Sequence, residues 1–486
     1  MELSSSIENS HTATDNMQRI FEKQHIAFNA QPYPEYANRR QKLVELKKQI
    51  IRYQDAIATA INTDFDSRSF HESKLLDILG SVLETQHAIH HLRRWMKPSK
   101  RQTELLFLSN RLEVQYQPKG VIGIIVPWNF PVYLALGPLA AAIAAGNRVM
   151  IKLSEFTPTT NAKVKQMLSE IFSEDEVAVF GEEIQDPSKF TSLAFNHIVF
   201  TGSPAVGHIV MRTAAENLTP VTLELGGKSP ALVTRNYDIT DAAKRILHGK
   251  TTNSGQICVS PDYALIPKES IDSFISACTT QFTHMFGQNI DESPDYTSII
   301  NDRHLKRIQT ILQDAQDKGA QIISCADYNT EHASRRMPIQ LVINCTPDMR
   351  IMQEELFGPV LPIVAYDTLD QAIQYIQKNE RPLALYCFTL NANERDHILR
   401  NTHSGGVTVN DWGWHVVNHD APFGGIGNSG MGTYHGVEGF RELSHAKTVL
   451  HRHRFFPTQL FYPPYGTFIQ KMILRFFLKK GDPNIK

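Results

Sequence analysis

Short apolar runs that alternate with longer helix-like segments constrain the fold of this chain more than any other feature. Residues 121–126 form a continuous apolar run, which is typical of a strand buried on both faces of a sheet. Two more short strands are predicted at 148–152 and 197–200, and helices follow at 161–172 and about 205–216. Strands and helices that alternate at this interval predict a parallel, doubly wound sheet.

Polar side chains lie at the predicted carboxyl ends of these strands. They are Asn129, Lys152, Glu155 and Ser203. In doubly wound sheets, ligands bind in the crevice beyond the carboxyl ends of the strands. We therefore expect these four residues to lie at a binding site.

The rest of the chain also shows patterns that predict helices and strands. Helices are predicted from about 15 to 96, where one face carries an apolar stripe at Leu43, Leu46, Ile50, Tyr53 and Ile57. A short strand is predicted at 112–116. A second alternating region runs from about 227 to 430, with strands at 230–233, 263–266 and 360–364 and a helix at 302–318. The glycine-rich segment 423–432 is predicted to be an ordered loop rather than a helix or strand.

Composition narrows the class of protein. A chain of 486 residues exceeds one ordinary core, so two or three domains are expected. A net charge of -1 argues against a nucleic-acid groove and against a polybasic membrane surface. The five cysteines form no CxxC pair, so we predict neither a disulfide framework nor a metal site. Without a signal-peptide pattern, or an apolar run near the ~20 residues that cross a bilayer, the chain is predicted to be cytoplasmic.

Cys258 and Glu224 are the residues that most strongly indicate chemistry. Each lies in a glycine-rich frame, and thirty-four residues separate them. A thiol can add to a carbonyl carbon, and a carboxylate can activate the water that later breaks the adduct. A free cysteine titrates near ~8.5, so little of it is thiolate at neutral pH unless the site lowers that pKa. The pair indicates covalent chemistry on an aldehyde.

Six segments of the chain resemble the aldehyde dehydrogenase superfamily, in the order that family has them. They are Pro127-Trp128-Asn129-Phe130-Pro131, Ile151-Lys152-Leu153-Ser154-Glu155, Phe200-Thr201-Gly202-Ser203, Glu224-Leu225-Gly226-Gly227-Lys228, Gly255-Gln256-Ile257-Cys258 and Glu355-Leu356-Phe357-Gly358-Pro359. The resemblance covers about residues 20–451. The segments 258–263 and 427–436 resemble the class 3 branch, and 146–150 and 217–224 look most similar to coniferyl aldehyde dehydrogenases.

The resemblance implies the roles of three catalytic residues. Cys258 attacks the aldehyde to form a thiohemiacetal, and the side-chain amide of Asn129 and the backbone N–H of Cys258 hold the oxyanion. Loss of hydride to a nicotinamide then leaves a thioester. Glu224 deprotonates the water that hydrolyses this thioester.

The resemblance also implies a cofactor site. The matching residues are Trp128, Lys152, Glu155, Gly202, Ser203, Gly207, Glu355 and Phe357. A carboxylate at the adenosine ribose accepts hydrogen bonds from hydroxyls and repels a 2′-phosphate, so NAD is favoured, and NADP stays open. The segment 180–189 departs from the family's glycine-rich turn, which puts close approach of the backbone to adenine in doubt; Pro187 suits the start of a helix.

The implied architecture is an aldehyde dehydrogenase-like α/β fold. An NAD(P)-binding domain of doubly wound parallel sheet spans 15–225, interrupted by an arm strand at about 103–118. An α/β catalytic domain spans 226–430, and 431–455 returns to a small β oligomerisation arm. Relatives pair through such an arm, so a homodimer is expected, through Leu112–Gln117 and a partner segment near 448–451. For the tail, 456–486, packing on the protein or a partner subunit is favoured over contact with a membrane.

Two alternatives for function stay open. An acyl-CoA-forming aldehyde dehydrogenase would not need Glu224 to activate water, and a structural protein on the same fold would not need to keep the catalytic residues. The substrate is expected to be an aromatic aldehyde such as coniferaldehyde, or a medium- or long-chain aliphatic one. Aromatic residues could line a tunnel for it or belong to the core: Trp128, Phe130, Tyr133, Trp412 and Trp414.

Overall fold

A computed structural model describes residues 2–327 and 334–478, with side chains from residue 13 onward. The chain forms two compact units. The first comprises Met1–Trp95 and Gln117–His445, and the second comprises Met96–Tyr116 and Ala446–Lys486. Both large sheets fall in the first unit, so the predicted boundary between 225 and 226 stays a prediction.

The N-terminal region is helical, as predicted. Its helices are α1 (Glu2–Ala30), α2 (Tyr36–Phe65), α3 (Phe70–Ser73) and α4 (Leu79–Trp95), with a π-helical turn at Lys74–Ile78. The predicted apolar stripe lies on α2. All five of its side chains are buried, so the stripe is a packing face.

A six-stranded sheet carries the first predicted strand set. Its strands are β3 (Val121–Ile125), β4 (Arg148–Lys152), β5 (Val177–Phe180), β6 (His197–Gly202), β7 (Val221–Leu225) and β15 (Gly430–Met431). The spatial order is β15-β7-β6-β3-β4-β5, and every pairing is parallel except that of β15 with β7. The doubly wound parallel sheet is confirmed, with one antiparallel edge strand.

The crossover helices of this sheet are α5 (Tyr133–Ala145), α6 (Pro158–Ser169), α7 (Pro187–Thr191) and α8 (Pro204–Glu216). Every residue of α5 is buried, and the helix ends at Gly146 with a φ of 92°, a left-handed conformation that suits glycine. One core cluster joins α1, α7 and α8 to the sheet through aromatic residues such as Phe21, Phe190 and Phe195. The sheet is therefore covered by helices on the side of α1.

A seven-stranded sheet forms the second alternating region. Its strands are β8 (Pro230–Val233), β9 (Tyr263–Pro267), β10 (Gln321–Ser324), β11 (Gln340–Ile343), β12 (Val360–Tyr366), β13 (Ala384–Phe388) and β14 (Gly406–Val409). The order is β10-β11-β12-β9-β8-β13-β14, and only β10 is antiparallel to its neighbour. The helices of this region are α9 (Ile239–Thr251), α10 (Ile271–Phe286), α11 (Asp302–Asp317), α12 (Arg350–Gln353), α13 (Leu369–Lys378) and α14 (Ala392–Asn401), and α15 (Gly436–Glu442) follows β15.

The glycine-rich segment 423–432 is mostly irregular, as predicted, but it contains β15. The prediction of no strand was therefore wrong at these two residues. Gly430 pairs with Glu224 and has a φ of 139°; a Cβ there would lie 2.0 Å from the carbonyl oxygen of Leu223. Only glycine allows the loop to approach β7 this closely.

The second unit contains a three-stranded sheet of β1 (Ser99–Arg101), β2 (Arg111–Pro118) and β16 (Ser444–His451), in the order β1-β2-β16. The predicted strand at 112–116 is confirmed as part of β2. The chain continues through a 3₁₀ turn to α16 (Phe468–Leu478). Within the described ranges, no helix has the length and apolar character needed to span a membrane.

Candidate active site

The carboxyl ends of β3, β4 and β6 bring the predicted polar residues to one edge of the six-stranded sheet. Ile125 at the end of β3 pairs with Lys152 on one side and with Phe200 on the other. The next strands along the chain lie on opposite sides of β3, β4 on one side and β6 on the other. The carboxyl end of β3 is therefore the topological switch point of the sheet. Asn129, Lys152 and Ser203 therefore follow neighbouring strand ends, as expected.

Cys258 ends a short segment that begins with a tight left-handed turn. We call this segment, residues 253–258, the nucleophile turn. Asn253, Ser254 and Gly255 have φ values of 48°, 52° and 72°. Left-handed backbone is strained for the two non-glycine residues, so the surroundings must hold it. The Ser254 hydroxyl donates to the carbonyl of Thr297 at 2.5 Å, and the Gln256 side chain donates to Ser298 O at 3.1 Å.

Asn129 is bound directly to the nucleophile turn. Its side-chain Nδ2 donates to the carbonyl of Gln256 at 3.1 Å, and its own carbonyl accepts from Nδ2 of Asn253 at 3.1 Å. Asn129 is 2% exposed. One amide hydrogen of Asn129 is thus used to fix the side chain, and the second is left for another acceptor.

Glu224 lies on β7 between two strands, opposite Thr201 of β6 and Gly430 of β15. The side chain is 2% exposed, and neither carboxylate oxygen accepts a hydrogen bond from a described residue. Burial raises its pKa well above the usual value. Burial therefore favours the neutral acid, and the carboxylate is a stronger base than an ordinary one when it ionises.

Glu355 is a second carboxyl group beside the thiol. Burial and the charge of Asp262 raise its pKa to about 8, although the Gly227 amide and Lys228 oppose the shift. Gly226 is required here, because a Cβ would lie 1.8 Å from Oε2 of Glu355. Burial, Glu355 and Glu224 together raise the pKa of Cys258 to about 12.

Cys258 is therefore a neutral, partly buried thiol. The surroundings do not lower the thiol pKa, as those of some reactive cysteines do. A nucleophilic attack by this thiol requires the loss of its proton, and Glu224 and Glu355 are the carboxyl groups that act on it. The structure brings Cys258, Glu224, Asn129 and Glu355 close together in the first unit.

Trp128 and Phe357 pack against each other on the cofactor side. Their ring centroids are 5.4 Å apart in an edge-to-face arrangement, and His304 lies 5.2 Å from Trp128. Phe357 has a φ of 47°, a left-handed conformation that is unusual for an aromatic residue. This backbone fixes the ring beside the segment that carries Glu355.

We call Lys152, Glu155 and Ser203 the cofactor edge. Lys152 is 3% exposed, and its Nζ donates to the carbonyl of Leu153 at 2.7 Å. Burial lowers its pKa, whereas the charges of Glu155, Glu183 and Glu182 favour the ammonium form. The cofactor edge therefore combines one lysine with one carboxylate, and the neighbouring Glu182 and Glu183 also act on that lysine.

The turn after β6 leads into α8. Ser203 is exposed and caps the helix, since its hydroxyl accepts from the Val206 N–H at 3.5 Å. A Cβ at Gly202 would lie 2.6 Å from the Phe200 ring, and one at Gly207 would lie 2.6 Å from a Leu225 methyl. Both glycines allow close packing of the turn and the helix against the sheet.

The sequence profile of the aldehyde dehydrogenase family matches residues 7–449. The chain belongs to the aldehyde dehydrogenase family. It is an oxidoreductase that acts on aldehydes, so the alternative of a non-catalytic structural protein is not retained.

Individual relatives agree with the family assignment. A probable coniferyl aldehyde dehydrogenase of Pseudomonas aeruginosa is 45% identical over 97% of this chain and 98% of its own. A coniferyl aldehyde dehydrogenase of a Pseudomonas species is 45% identical over 82% of this chain and 83% of its own. The structure of the substrate-bound state of Staphylococcus aureus AldH is 35% identical, with a TM-score of 0.89 over 95% of this chain and 99% of that one.

The residues of this aldehyde dehydrogenase fit a nicotinamide dinucleotide. The N-terminus of the thirteen-residue helix α8 opens at the switch point, where backbone amides suit a pyrophosphate. Lys152 bonds only to a backbone carbonyl among the described residues, which leaves two of its hydrogens for ribose hydroxyls. Glu155 is exposed at the same edge.

A helix begins within the segment 180–189, where a glycine is missing. α7 begins at Pro187, and Asp186 caps it by accepting the Ser188 N–H at 3.0 Å. Asn161 donates to Glu182 at 2.9 Å and to the Ser154 carbonyl at 2.8 Å. Carboxylates therefore take the place of the glycine-rich turn beside the cofactor edge.

A buried ion-pair network supports Asn129, and the sequence motifs did not reveal it. Arg68, fully buried, donates to the carbonyl of Asn129 at 3.0 Å and pairs with Glu72 and Asp77 at 3.2 Å each. Asp77 accepts the N–H groups of Val132 and Tyr133 at 3.2 and 3.1 Å. Glu72 accepts the N–H of Asn253 at 3.2 Å. The N-terminal helices thus hold both Asn129 and the nucleophile turn.

The aromatic residues considered for a substrate tunnel have different surroundings in the structure. Phe130 stacks on Arg68 at 4.6 Å, and Trp412 donates to His248 at 2.9 Å; both are buried. Tyr133 contacts His435 at 3.2 Å in a buried polar cluster with Glu84 and His419. Trp414 alone among the five is exposed, at 46%. Tyr434, which the sequence analysis did not single out, interacts with both Glu224 and Cys258.

Proposed function

We propose that this aldehyde dehydrogenase oxidises an aromatic aldehyde such as coniferaldehyde to its acid, with NAD as cofactor and Cys258 as nucleophile. The observation that carries the proposal is the joint placement of a thiol, two carboxyl groups of raised pKa and an amide with one free hydrogen. This combination suits addition to a carbonyl followed by hydrolysis.

The first step joins the sulfur of Cys258 to the aldehyde carbon. The thiol proton passes to a carboxylate, for which Glu224 and Glu355 are placed, and the carbonyl π electrons move to oxygen. Asn129 Nδ2 and the backbone N–H of Cys258 donate to the resulting oxyanion. The hydrogen bond from Asn129 to Gln256 holds the amide in position before the charge develops.

Trp128, Glu355 and Phe357 would hold the nicotinamide half of NAD, which when bound would supply a hydride acceptor; Cys258 would then carry a thioester. Glu224 in its ionised form then takes a proton from water, and the hydroxide oxygen attacks the thioester carbon. The carbon–sulfur bond breaks, and the thiolate leaves. The high pKa of Glu224 makes its carboxylate an effective base for this step.

The carboxylates of the cofactor edge support NAD over NADP. Glu155, Glu182 and Glu183 all act on the charge of Lys152, so a 2′-phosphate would meet several negative charges there. The proposed ribose contacts are a donor from Lys152 and an acceptor from Glu155. The pyrophosphate is assigned to Gly202, Ser203 and the first turn of α8, and the nicotinamide half to Trp128, Glu355 and Phe357.

The substrate class is supported by two 45% identical relatives with coniferyl aldehyde dehydrogenase names. Its test is a panel of coniferaldehyde, octanal and acetaldehyde, each with NAD and with NADP. We expect kcat/KM to be highest for coniferaldehyde with NAD. A higher kcat/KM for acetaldehyde would overturn an aromatic substrate, and a preference for NADP would overturn the cofactor assignment.

Hydrolysis is tested separately with Glu224→Gln. This variant keeps the thiol, so rapid mixing should show a burst of NADH of about one equivalent per site, followed by a steady rate reduced ~10²-fold or more. Glu216→Gln, at an exposed position at the end of α8, is the matched control. An undiminished steady rate would remove Glu224 from the mechanism. Turnover that depends on added coenzyme A would point to an acyl-CoA-forming enzyme instead.

We also propose a homodimer. The support is the three-stranded sheet of the second unit, whose outer strands β1 and β16 each present an edge for a partner strand. Light scattering on the eluted peak of a sizing column should give twice the 55.0 kDa chain mass. A monomeric mass at micromolar concentration contradicts this assembly.

A further inference from the structure

Three side chains of the kind that bind metal ions meet in a buried cluster that the proposed reaction does not use. They are Glu84 of α4, His419 of the segment before β15, and His435 at the N-terminal end of α15. One possible ligand atom of each lies within 4.8 Å of those of the other two. Their side chains are 3%, 7% and 0% exposed, so the cluster is shielded from solvent. We call these three residues the histidine cluster.

Most polar atoms of the histidine cluster have no hydrogen-bond partner among the described residues. They are Oε2 of Glu84, both ring nitrogens of His419 and Nδ1 of His435. Oε2 of Glu84 lies 2.6 Å from Nδ1 of His419, but the angle at the ring does not suit a hydrogen bond. Buried polar groups of native proteins are nearly always satisfied by protein, by water or by a bound ion. The unpaired atoms therefore indicate that a further group binds between them.

The charge of Glu84 favours a cation over a water molecule as that group. A buried carboxylate is costly unless an opposite charge compensates it. Within the described part of the chain, the ion-pair partners of Glu84 are His419 and His435, and no Lys or Arg lies within ion-pair distance of it. A histidine carries a positive charge only when it is protonated. A divalent ion would compensate the carboxylate and also accept a lone pair from each neutral ring.

The donor set and its dimensions suit an ion of the zinc class. Two imidazoles and one carboxylate are a set that binds Zn²⁺ in proteins and leaves a fourth position for water. With bonds of about 2.0–2.2 Å to zinc, tetrahedral ligand atoms lie roughly 3.4 Å apart. Oε2 of Glu84 lies 2.6 Å from Nδ1 of His419 and 3.8 Å from Nε2 of His435, on either side of that value. Side-chain shifts on the order of 1 Å therefore produce the tetrahedral arrangement.

The backbone and the surrounding rings hold the two histidines close together. His435 has a φ of 83°, a left-handed conformation that residues other than glycine rarely adopt. A Cβ at Gly436 would lie 2.6 Å from the carbonyl oxygen of His419, so only glycine allows the two segments to approach this closely. The His435 ring stacks on Phe423 with centroids 5.6 Å apart, and its Nε2 lies 3.2 Å from the Tyr133 hydroxyl. Such contacts orient a ligand histidine before an ion binds.

A second group of side chains leads from the histidine cluster toward solvent. His87 and His91 follow Glu84 on α4 at spacings of three and four, so all three lie on one face of the helix. Possible ligand atoms of His87, His91 and Asp420 lie within 4.8 Å of one another. Asp420 is exposed, and its Oδ1 lies 3.4 Å from Nε2 of the half-buried His87. These residues provide a route by which an ion reaches the buried cluster.

We propose that the histidine cluster binds one divalent ion of the zinc class, with Glu84, His419 and His435 as its ligands. The ion would join α4 to the segments that precede β15 and α15. The prediction of no metal site followed from the spacing of the cysteines, and none of the five belongs to this cluster. The inference goes beyond the proposed oxidation and does not depend on it.

The test measures the metal content of the full-length enzyme. The enzyme is treated with a chelator, dialysed against micromolar Zn²⁺, desalted and assayed for zinc by mass spectrometry. We expect about one ion per chain. Glu84→Gln/His419→Gln/His435→Gln should retain less than about a tenth of that content. His284→Gln, at an exposed histidine of α10, should retain all of it, and so should Cys258→Ser, which excludes binding by the nucleophile thiol.

Two further measurements report on the ligands and on folding. Co²⁺ bound to imidazole and carboxylate should absorb visible light without the thiolate-to-cobalt charge-transfer band of a cysteine site. Zn²⁺ should raise the unfolding temperature of the unmodified enzyme and not that of the triple variant, because the ion binds the folded state. If the triple variant does not fold, Glu84→Gln alone, which keeps the side-chain volume, should weaken Zn²⁺ binding at least about tenfold.

The outcomes separate this site from its alternatives. A zinc content of the unmodified enzyme below about a tenth of an ion per chain overturns the proposal and means that protonated histidines compensate Glu84. Unchanged content in the triple variant, or loss of the ion in Cys258→Ser, would also overturn it, since the ion would then lie elsewhere. Two ions per chain, falling to one in the triple variant, would support the site and assign the second ion to His87, His91 and Asp420. None of these measurements uses an aldehyde, so their result stands apart from that of the substrate panel.

Discussion

The nucleophile turn precedes strand β9 of the seven-stranded sheet, whereas the cofactor edge lies at strand ends of the six-stranded sheet, and the structure supports the two regions differently. In the nucleophile turn, buried polar groups bond to segments distant in sequence: Asn253 to Glu72, and Ser254 to Thr297. At the cofactor edge, Glu155 and Ser203 are exposed, and the bonds of Lys152 and Ser203 are local. Changes in the first region should therefore affect the chemical step and folding, and changes in the second should affect only affinity.

The largest effect is expected at Cys258. Cys258→Ser replaces the thiol with a much poorer nucleophile of similar size, so aldehyde oxidation should fall at least ~10³-fold while the fold persists. NADH formation and thermal unfolding measure the two quantities. Cys345→Ser, at another partly buried thiol, is the control and should retain most activity. Activity above a tenth of the unmodified level in the Cys258 variant would be incompatible with a thioester route.

Asn129→Ala should lower kcat by about 10²–10³, the usual loss for one oxyanion donor. Stability should fall only by about 1 kcal/mol, because the Gln256 carbonyl still accepts from Asn253 at 3.2 Å. KM for NAD should stay the same, since Asn129 lies outside the cofactor edge. Steady-state kinetics with urea unfolding would separate these effects. A change in KM for NAD with kcat intact would assign Asn129 to the cofactor instead.

Arg68→Met tests whether the buried ion pairs of the N-terminal helices hold Asn129 and the nucleophile turn in position. The change leaves Glu72 and Asp77 buried without their cation, which typically costs about 3–5 kcal/mol. Displacement of Asn129 should lower kcat by about 10- to 100-fold. Thermal unfolding and kcat measure the two losses, and Arg68→Lys should restore part of each. If Arg68→Met unfolds earlier but keeps its kcat, Arg68 supports the fold without positioning Asn129.

The strands and turns that carry the proposed cofactor and catalytic residues could be predicted from the sequence because their motifs are local. A short apolar run predicts the strand at 121–126, and the turn after each strand shows which polar residues lie at its carboxyl end. Arg68 could not be predicted in the same way. Its partners are Glu72, Asp77 and the backbone of Asn129, sixty-one residues later, so the relation exists only after the helices have packed.

Charge gave a second limit to sequence reasoning. The net charge of -1 suggested no basic surface, yet the basic residues of 446–481 have no acidic residues among them. The net charge of the whole chain does not show that basic residues are concentrated in one segment.

Glu155→Gln is expected to have the smallest effect and to be confined to affinity. The side chain is exposed, so stability should change by less than about 0.5 kcal/mol. Loss of a charged acceptor at the proposed ribose contact should raise KM for NAD by roughly tenfold, since hydrogen bonds to charged groups contribute about 1.5–3 kcal/mol. The same change removes a repulsive charge, so the preference for NAD over NADP should shrink while kcat stays constant. Titration with both cofactors measures this, with Glu216→Gln at the far end of α8 as the control. A fall in kcat without a change in KM would mean that the cofactor edge is coupled to the nucleophile turn, and the contrast between the two regions would fail.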